Sequence, residues 1–574
     1  MRNMEERMKV FLSIVAMAVI IFFSSSCSKG GKDMADLILI NGTIYTLDPA
    51  RPRAEAVAIR DGRILKVGAA AEVRGLAGKE TRTIDLAGGF VLPGFIDSHT
   101  HFLNGGFSLS SIQLRDVRTR EEFAAKVAAK VKDLEKGEWV QNGDWDHELF
   151  TPVELPRREW IDSVSPDNPV CVNRYDGHMV LANSAALRIS GVTKSTPVPP
   201  GGEIVKDPKT GEPTGILKDA AADLVYRHIP EPSWREKLKA AEAALKNAAE
   251  HGVTSVHEMA DASSFEVYQQ LIRDGKMTAR LYVYIPINEV DIYARLKLKT
   301  PFGNDDLKIG GLKGFVDGSL GSATAYFFEP YTDDPKTRGL LAPQMFPEGI
   351  MEKRILEADK AGLQVAIHAI GDRANSLLLD LYEKAAARNG PRDRRWRIEH
   401  AQHLRPQDIA RFGKLGVIAS VQPYHAYDDG RWAEKKIGKE RVRYTYPFKS
   451  LLDGGAVLAF GSDWTVAPLD PVSGIYAAVT RATSDGKNPG GWVPEEKISL
   501  DDAIKGYTTG GAYAEFAEKD KGTIQSGKLA DIIVLDKNLF KIPAEQFMDV
   551  KVVLTIVGGK VVHDGRPAPA GLRP

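Results

Sequence analysis

The sequence predicts an α/β protein in which a (β/α)8 barrel, or TIM barrel, is joined to a small discontinuous β-sandwich. Between about residues 92 and 522, eight apolar strand-like runs alternate with helix-forming segments. Both chain ends carry short β-rich runs that are separated by Asn-Gly, Asp-Gly and Gly-Gly turn signals. Neither end holds enough strands for a domain by itself, so we expect the two ends to pair.

The composition of the 574-residue chain excludes several classes of protein. Its 76 Lys and Arg balance its 76 Asp and Glu, whereas a nucleic-acid-binding protein normally carries a basic excess. Hydrophobic residues at 43% and charged residues at 26% are typical of a globular protein. Only Cys27 and Cys171 are present, which excludes a disulfide framework. We therefore expect a globular protein that does not bind nucleic acid.

Residues 1–27 have the pattern of an export signal. The apolar run from Val10 to Phe23 would extend about 21 Å as a helix, short of the roughly 30 Å hydrocarbon core of a membrane. Three serines before Cys27 resemble the lipobox of bacterial lipoproteins, and this resemblance implies acylation of Cys27. A cleaved soluble form and an uncleaved anchor remain open. We expect an exported protein that is lipid-anchored to the bacterial outer membrane or periplasmic.

The composite β domain is predicted over residues 34–91 and 523–566. Alternation of apolar residues at Ile38 and Ile40, and again at Val552, Leu554 and Ile556, indicates half-buried strands in a small sheet or sandwich. Two independent additions at the edges of the barrel are the alternative arrangement.

The barrel is predicted over residues 92–522. Its eight strand-like runs are VLPGFIDSH near 91, GVTSVHE near 252, ARLYVYIP near 279, KIGGLKGFV near 308, GLQVAIH near 362, WRIEH near 396, GVIASVQ near 416 and AVLAFGS near 456. The span exceeds the roughly 250 residues of a typical barrel, and most of the excess falls between the first two runs. We expect residues of about 103–251 to form an insertion over the mouth.

Metal-ligand types occur repeatedly where these runs end. His99 and His101 lie two apart, which in a strand places both side chains on one face about 6.6 Å apart. His368, His400 and Asp463 end or follow three further runs. Reactive groups of such barrels lie at the carboxyl ends of strands, so these residues are expected to converge on a metal site.

Lys313, inside the fourth run, differs from these metal-ligand types because its ammonium group has no lone pair with which to bind a metal ion. Carboxylation by carbon dioxide would convert it into an anionic carbamate that is able to bridge two metal ions. A snorkelling or ion-paired lysine is the alternative.

Several motifs together resemble a known family. They are GFIDSHTH, LKGFVDGSLGS, VAIHAIGDRA, RIEHAQH and AFGSDWTV, and with the split β domain they are similar to the amidohydrolase superfamily, in its amidohydrolase-3 branch with the N-substituted formamide deformylases. The resemblance implies that His99, His101 and Asp463 hold one metal ion, that His368 and His400 hold a second, and that carboxylated Lys313 bridges them. A one-metal variant stays open.

The chemistry that follows is metal-dependent hydrolysis of an amide or another non-peptide C–N bond in a small molecule, such as an N-acyl or N-formyl amine or a cyclic amide. One or two divalent ions, with Zn²⁺ expected and Mn²⁺, Fe²⁺ or Ni²⁺ also suitable, would bring the pKa of a bound water to about 7. Asp463 would carry the proton from the attacking water to the leaving nitrogen. The alternatives are an Asp463 that only caps the next helix, a catalytically silent binding scaffold, and deamination or ester hydrolysis at the same metal site.

Three further residues are candidates for substrate contacts. His178 lies in a DGH segment that resembles one whose histidine faces the substrate in members of the family. His425 follows the seventh run and should point to the mouth, and Trp145 in the insertion is either a wall of the pocket or a packing residue. His257 and His403 are candidates for orienting a ligand.

Overall fold

A computed structural model of the protein describes residues 34–260 and 262–566. The predicted export segment 1–27, including Cys27, lies outside the described residues. Within the described ranges, no helix combines the length and the apolar character that crossing a membrane requires.

Eight parallel strands, numbered here β1 to β8, form a nearly closed barrel in chain order. They are β1 Phe95–Thr100, β2 Val253–Met259, β3 Arg280–Pro286, β4 Leu307–Phe315, β5 Gln364–Ala369, β6 Arg397–His400, β7 Ile418–Val421 and β8 Leu458–Phe460. Beyond β8, the Asp463 N–H donates to the His99 carbonyl at 2.7 Å and the His101 N–H donates to the Trp464 carbonyl at 3.0 Å. The chain after the last strand thus meets the first strand, and the predicted fold class is confirmed.

Helices cover the outside of the barrel between successive strands. The main crossover helices are Trp234–Glu250, Ala262–Arg273, Val290–Arg295, Ile350–Ala361, Asp372–Asn389, Pro406–Leu415 and Phe448–Asp453. Pro423–Asp429 and Ala433–Val442 add to the β7 to β8 connection, and Pro471–Thr480, Leu500–Lys505 and Gly511–Ala514 follow β8. The helix Trp234–Glu250 begins with a capping box between Ser233 and Glu236, which explains its sharp start.

The first predicted run, VLPGFIDSH, is two strands that belong to different sheets. Phe90–Pro93 pairs with a strand from the carboxyl end of the chain, whereas β1 begins at Phe95. Between them, the Gly94 N–H donates to the Asp531 carbonyl, and a Cβ at Gly94 would stand 2.2 Å from Thr254 Oγ1. Only glycine leaves room for the chain to cross between the domains at this point.

Strands from both chain ends build the β-sandwich. One sheet contains Arg63–Gly68, Ala56–Arg60, Ala35–Ile40 and Ala77–Asp85, in that order. The other contains Lys560–Asp564, Val552–Val557, Ile532–Leu535, Phe90–Pro93, Thr43–Tyr45 and Arg53–Ala54. Leu39 and Val57 of the first sheet share one apolar core with Val91, Val534 and Ile556 of the second.

The strand Ala35–Ile40 is covered on both faces, so the expectation of a half-buried strand around Ile38 and Ile40 is wrong there. Leu37 and Leu39 face the other sheet, while Ile38 and Ile40 pack with Val73 of the short helix Ala70–Arg74. The sequence pattern does not show this helix as a cover, because only five residues form it.

Between β1 and β2 the chain forms a five-stranded sheet with its own apolar core. The strands, in sheet order, are Gly202–Lys206, Pro213–Asp219, Met179–Ala182, Val170–Asn173 and Val140–Gln141. Helices Phe102–Ser108, Arg120–Val131, Ser184–Ile189 and Asp223–Tyr226 accompany them. The turn between Val170–Asn173 and Met179–Ala182, residues 174–178, brings Tyr175, Asp176 and His178 into the lining of the cavity at the barrel mouth.

Candidate metal centre

The structure brings His99, His101, His400 and Asp463 together at the carboxyl ends of the barrel strands. Asp463 Oδ1 lies 3.4 Å from His101 Nε2 and 3.5 Å from His99 Nε2, and Asp463 Oδ2 lies 4.0 Å from His400 Nδ1. The donor atoms of His99, His101 and Asp463 all lie within 4.8 Å of one another. Imidazole and carboxylate in this arrangement are a donor set that fits a divalent transition-metal ion.

A second group of donor atoms within the same spacing contains His400, His425 and Asp463. His368, which the family resemblance pairs with His400, lies beside this group, with ring centroids of His368 and His400 4.4 Å apart. Its Nε2 is 3.0 Å from the Gly318 carbonyl oxygen and 3.4 Å from Asp317 Oδ1. The structure therefore places His425 among the candidate metal ligands, whereas the sequence predicted it as a substrate contact.

Lys313 lies on β4 with its amino group at the centre of the cluster. Nζ is 3.2 Å from His99 Nε2, and only 5% of the residue is exposed. Burial lowers the pKa of the Lys313 ammonium to about 8, which raises the fraction of neutral amine at physiological pH. A neutral amine is the form that reacts with carbon dioxide.

Asp463 is buried beside these groups and belongs to the loop after β8. Burial raises the pKa of its carboxyl to about 7, although the Lys313 charge opposes this effect. A carboxyl that titrates near neutral pH is suited to accept and release a proton. The helix that follows, Pro471–Thr480, is capped by Asp470, whose side chain accepts from the Val472 N–H. The alternative reading of Asp463 as a helix cap is therefore wrong.

Two of the predicted ligands stand on backbone in the left-handed region. His400 has φ 75° and Asp463 has φ 56°. For residues other than glycine this conformation costs about 1–3 kcal/mol, and it occurs most often at functional sites. In β6 it lets the neighbouring side chains Glu399 and His400 both take part in the buried site, which the alternation of a regular strand would prevent.

Glu399 and Arg397 hold His99 from inside the barrel. The His99 Nδ1 is hydrogen-bonded to the Glu399 carboxylate, and Arg397 Nε donates to the other carboxylate oxygen at 2.7 Å. All three side chains are fully buried. Because Nδ1 donates to a carboxylate, the Nε2 lone pair of His99 is directed to the centre. Burial holds the pKa of His99 well below its usual range, so the ring is neutral, as a metal ligand must be.

The same network continues to the bottom of the barrel. Arg397 Nη1 lies 2.7 Å from His257 Nδ1, and His257 Nε2 lies 3.7 Å from Glu515. Glu515 in turn pairs with the Lys521 ammonium at 2.7 Å. Burial opposes ionisation of Glu515, yet the Lys521 charge lowers its pKa to about 2. Opposite charges thus alternate along a buried path that ends at His99.

His400 and the Asp463 loop have supporting residues of their own. The Gln422 side-chain oxygen lies 2.9 Å from His400 Nδ1. Asp97 accepts the Ser462 N–H at 2.9 Å, which fixes the loop one residue before Asp463. His403 instead contacts Thr445 Oγ1 at 2.9 Å and packs on Phe327, so it does not orient the ligands directly.

A cavity of about 420 Å³ opens in front of the cluster and is bounded by both the barrel and the insertion. The barrel contributes the metal-ligand candidates with Phe315, and the insertion contributes Asn142, Asn173, His178 and Tyr226. His178 Nδ1 lies 2.6 Å from Asp219 Oδ1, and although burial opposes protonation, the Asp219 charge raises the pKa of His178 to about 9. A protonated His178 at the cavity wall is a donor for a substrate oxygen.

Trp145 and His425 occupy different surroundings. Trp145 is fully buried in the core of the insertion, where its indole N–H donates to the Val172 carbonyl at 2.9 Å, and it does not line the cavity. The structure thus assigns Trp145 to packing and corrects the expectation of a substrate contact. His425 does line the site, with Nε2 3.3 Å from the Ser462 carbonyl.

Sequence reasoning missed Arg397, Glu399, Asp219, Arg174 and Trp432. One signal was available for the first two, because Arg and Glu in a short barrel-strand run are almost never buried unless they pair. The partnership of Asp219 with His178 joins residues 41 apart in the chain, and Trp432 reaches the site from the β7 to β8 connection. No local pattern marks these positions.

Known proteins resemble this chain over nearly its whole length. Residues 82–563 match the model of the amidohydrolase family. The chain is 44% identical to Protein LONG AFTER FAR-RED 3 of Arabidopsis thaliana and 28% identical to N-substituted formamide deformylase of Arthrobacter pascens; each alignment covers 92% of this chain, with 92% and 99% of the relative. The crystal structure of an uncharacterized metal-dependent hydrolase from Pyrococcus horikoshii matches with a TM-score of 0.71 at 28% identity, covering 89% of this chain and 99% of that one. This chain therefore belongs to the amidohydrolase family and is a metal-dependent hydrolase.

Proposed function

We propose that this hydrolase cleaves an amide or another non-peptide C–N bond of a small molecule, with Asp463 as the proton shuttle. The observation that carries the proposal is the position of Asp463, within 3.5 Å of His99 and His101 and on the wall of the 420 Å³ cavity. The similarity to an N-substituted formamide deformylase favours N-acyl and N-formyl amines as the substrate class.

The donor atoms suit one or two zinc ions, with His99, His101 and Asp463 as one set of ligands and His400 with His368 or His425 as the other. A bound divalent ion supplies Lewis acidity, which makes a water more acidic and a carbonyl more electrophilic. Mn²⁺, Fe²⁺ and Ni²⁺ suit the same ligand types.

Asp463 and His178 have different roles in the proposed reaction. Asp463, which lies within 3.5 Å of His99 and His101, takes the proton of the attacking water and gives it to the leaving nitrogen. His178, which Asp219 keeps protonated, donates a hydrogen bond to the substrate carbonyl oxygen as negative charge develops there.

Carboxylation of Lys313 belongs to the same proposal. The neutral amine of Lys313 attacks carbon dioxide, forms an N–C bond and releases one proton, which leaves a carbamate with two oxygens among the histidines. Protein produced in medium that contains ¹³C-bicarbonate should show a carbamate carbon resonance in its NMR spectrum. The Lys313→Met variant should lack this resonance. Identical spectra for the two proteins would contradict the modification.

A substrate panel tests the reaction class. The purified full chain, loaded in turn with Zn²⁺, Mn²⁺, Fe²⁺ or Ni²⁺, is assayed with formamides, N-acyl amines, cyclic imides, aminopurines and esters of matched size. We expect release of amine from the formamides and N-acyl amines, and ring opening of the cyclic imides to half-amides that keep the nitrogen. Turnover of aminopurines or esters alone would favour the alternative reactions, and stoichiometric metal content without any turnover would favour the silent scaffold.

We also propose that residues 1–27 direct export and that Cys27 carries a lipid. Mass spectrometry of the amino-terminal peptide from a membrane fraction should show acyl chains on Cys27. Recovery of Cys27→Ser in the same fraction and at the same yield as wild type would contradict lipid anchoring.

A further inference from the structure

Glu258 is the last but one residue of β2 and is only 2% exposed. The preceding residue, His257, faces the buried Arg397 network. Because successive side chains of a strand point to opposite faces, Glu258 faces the other way, toward the start of the helix Phe102–Ser108. The register of β1 and β2 pairs Glu258 with Thr100, the last residue of β1.

Among the described residues, the Glu258 carboxylate is held by four hydrogen-bond donors and not by a cation. Its Oε2 accepts from the Phe102 N–H and lies 3.3 Å from Thr100 Oγ1. Its Oε1 accepts from the Tyr268 hydroxyl at 2.8 Å and from the Leu103 N–H at 3.3 Å. Burial raises the pKa of the carboxyl to about 7, and these hydrogen bonds oppose the rise.

Three of the four donors belong to residues 100–103, so Glu258 contacts the chain on both sides of His101. The helix Phe102–Ser108 begins directly after His101, whose own side chain does not cap it. The first N–H groups of a helix have no acceptor within the helix, and here Glu258 supplies one from the neighbouring strand. The carboxylate thus fixes the backbone from which the His101 side chain projects.

The ring of His101 has less support than the rings of two other candidate ligands. The Nδ1 atom of His99 is hydrogen-bonded to Glu399, and that of His400 lies 2.9 Å from the Gln422 oxygen. Among the described residues, no hydrogen bond holds the His101 ring, and 34% of its side chain is exposed. The place of its Nε2 atom therefore depends on the backbone on either side.

We infer that Glu258 is a positioning residue of the metal centre, which acts through the backbone of His101 and keeps Nε2 of that residue directed to the ion. Glu399 does the same for His99 through the ring. The inference rests on the proposed role of His101 as a zinc ligand. Partners that orient a metal ligand typically change metal affinity about 10- to 100-fold.

The chain offers matched variants for a test. Glu258→Gln keeps the shape of the side chain but leaves one oxygen, so one of the two pairs of donors meets an N–H group instead. Tyr268→Phe is a milder variant that removes one donor to Glu258 and keeps the ring.

Glu496→Gln is the matched control. Glu496 is 5% exposed, and its carboxylate accepts from the Ser450 N–H at 2.9 Å and from the Ser450 hydroxyl. It thus also holds the first turn of a helix, Phe448–Asp453, but it does not line the cavity in front of the candidate ligands.

Zinc affinity of each full-length protein is measured by competition with a chromophoric chelator, and stability by urea unfolding. We expect zinc affinity to fall about 10- to 100-fold in Glu258→Gln, to fall less in Tyr268→Phe, and to stay within about twofold in Glu496→Gln. Both glutamine variants should lose stability, because each leaves a buried donor without its acceptor. A purely structural role of Glu258 would lower stability without changing zinc affinity, and that result would overturn the inference.

A double-mutant cycle with His101→Ala tests whether Glu258 acts through His101. In the His101→Ala background, Glu258→Gln should change zinc affinity by less than about twofold, because the ligand that it positions is absent. An effect of the same size with and without His101 would contradict the inference. If Glu258→Gln does not fold, Tyr268→Phe takes its place in the cycle.

Failure of the proposed ligand role of His101 is distinguishable from failure of the inference. Zinc affinity that is unchanged in His101→Ala would refute both. Zinc affinity that falls in His101→Ala but stays at the wild-type value in Glu258→Gln and Tyr268→Phe would refute the role of Glu258 alone. None of these measurements requires turnover, so they do not depend on which bond the enzyme cleaves.

Discussion

The barrel wall and the insertion wall of the cavity hold their polar groups in different ways. On the barrel wall each group stands at a strand end and is fixed by buried partners behind it, as Glu399 and Arg397 fix His99. On the insertion wall Arg174, Asp176 and His178 stand on one turn between two strands. The barrel wall is suited to the catalytic chemistry, because its groups are held rigidly. The insertion wall is suited to substrate recognition, which can change when the sequence of the turn changes.

Ion pairs also join the insertion to the barrel. Arg431 of the barrel donates to Asp146 of the insertion at 2.8 Å, and Arg115 of the insertion pairs with Asp428 of the barrel at 2.5 Å. Tyr175 donates to Asp429 at 3.2 Å. The β7 to β8 connection thus positions the insertion. It also holds the turn at residues 174–178 next to the metal-ligand candidates of the barrel.

The largest effect expected on the barrel wall comes from Asp463→Asn. The variant keeps the size of the side chain but removes the proton acceptor and a metal-ligand charge, so kcat should fall by about 10³ to 10⁴ in a steady-state assay. The matched control is Asp470→Asn, because asparagine caps a helix as well as aspartate does. Activity retained in Asp463→Asn would exclude the shuttle.

Glu515→Gln tests how much the buried ion pair of Glu515 with Lys521 stabilises the fold beneath the barrel wall. Losing the buried partner of Lys521 should reduce the free energy of unfolding at pH 7 by about 3 kcal/mol. Since the folded-state pKa of Glu515 is lowered to about 2, its stabilisation is present above its unfolded pKa of 4.5 and is lost as pH falls through 2.

Urea unfolding of wild type and Glu515→Gln at several pH values should therefore show a constant gap above about pH 5 that narrows toward pH 2. Glu518→Gln, three residues away and paired with Arg395 near the surface, is the control and should cost at most about 1 kcal/mol. A gap that widens on acidification would contradict the assigned pairing.

Glu399→Gln separates metal binding from chemistry on the same wall. Loss of the carboxylate on His99 Nδ1 weakens the ligand, and we expect zinc affinity to fall about 10- to 100-fold in a competition assay with a chromophoric chelator. Glu121→Gln, with an exposed side chain, serves as the control. Unchanged affinity would mean that Glu399 does not position His99.

The smallest effect is expected inside the insertion. Trp145→Phe loses the hydrogen bond to the Val172 carbonyl and should cost about 1 kcal/mol of stability, with KM unchanged within about twofold. His178→Asn, which alters the cavity wall itself, should lower kcat/KM by about tenfold or more. If Trp145→Phe raised KM as much as His178→Asn does, Trp145 would contact substrate after all.

Much of the barrel wall could be predicted from the sequence. Parallel strands bring their carboxyl ends to one edge, so His99, His101, His400 and Asp463 were expected to converge from their positions in the runs. The left-handed backbone of His400 and Asp463 could not be predicted, because it depends on what packs around those residues. That His425 lies beside His400 could not be predicted either, because it also depends on packing around these residues.

The insertion wall was less predictable. Trp145 and His178 both stand in polar, aromatic-containing segments, yet one is enclosed in a core and the other faces the cavity. Which of them meets the substrate depends on how the insertion sheet is seated on the barrel. Contacts such as Arg431 with Asp146, 285 residues apart, decide that seating.

By itself the sequence determined the order of the barrel strands and the identity of the groups at the strand ends, because periodicity and turn signals are local properties. Only the tertiary structure decided which buried partners fix those groups and where the chain crosses between domains at Gly94. These features depend on distances between residues far apart in the chain, and such distances exist only once the chain has folded.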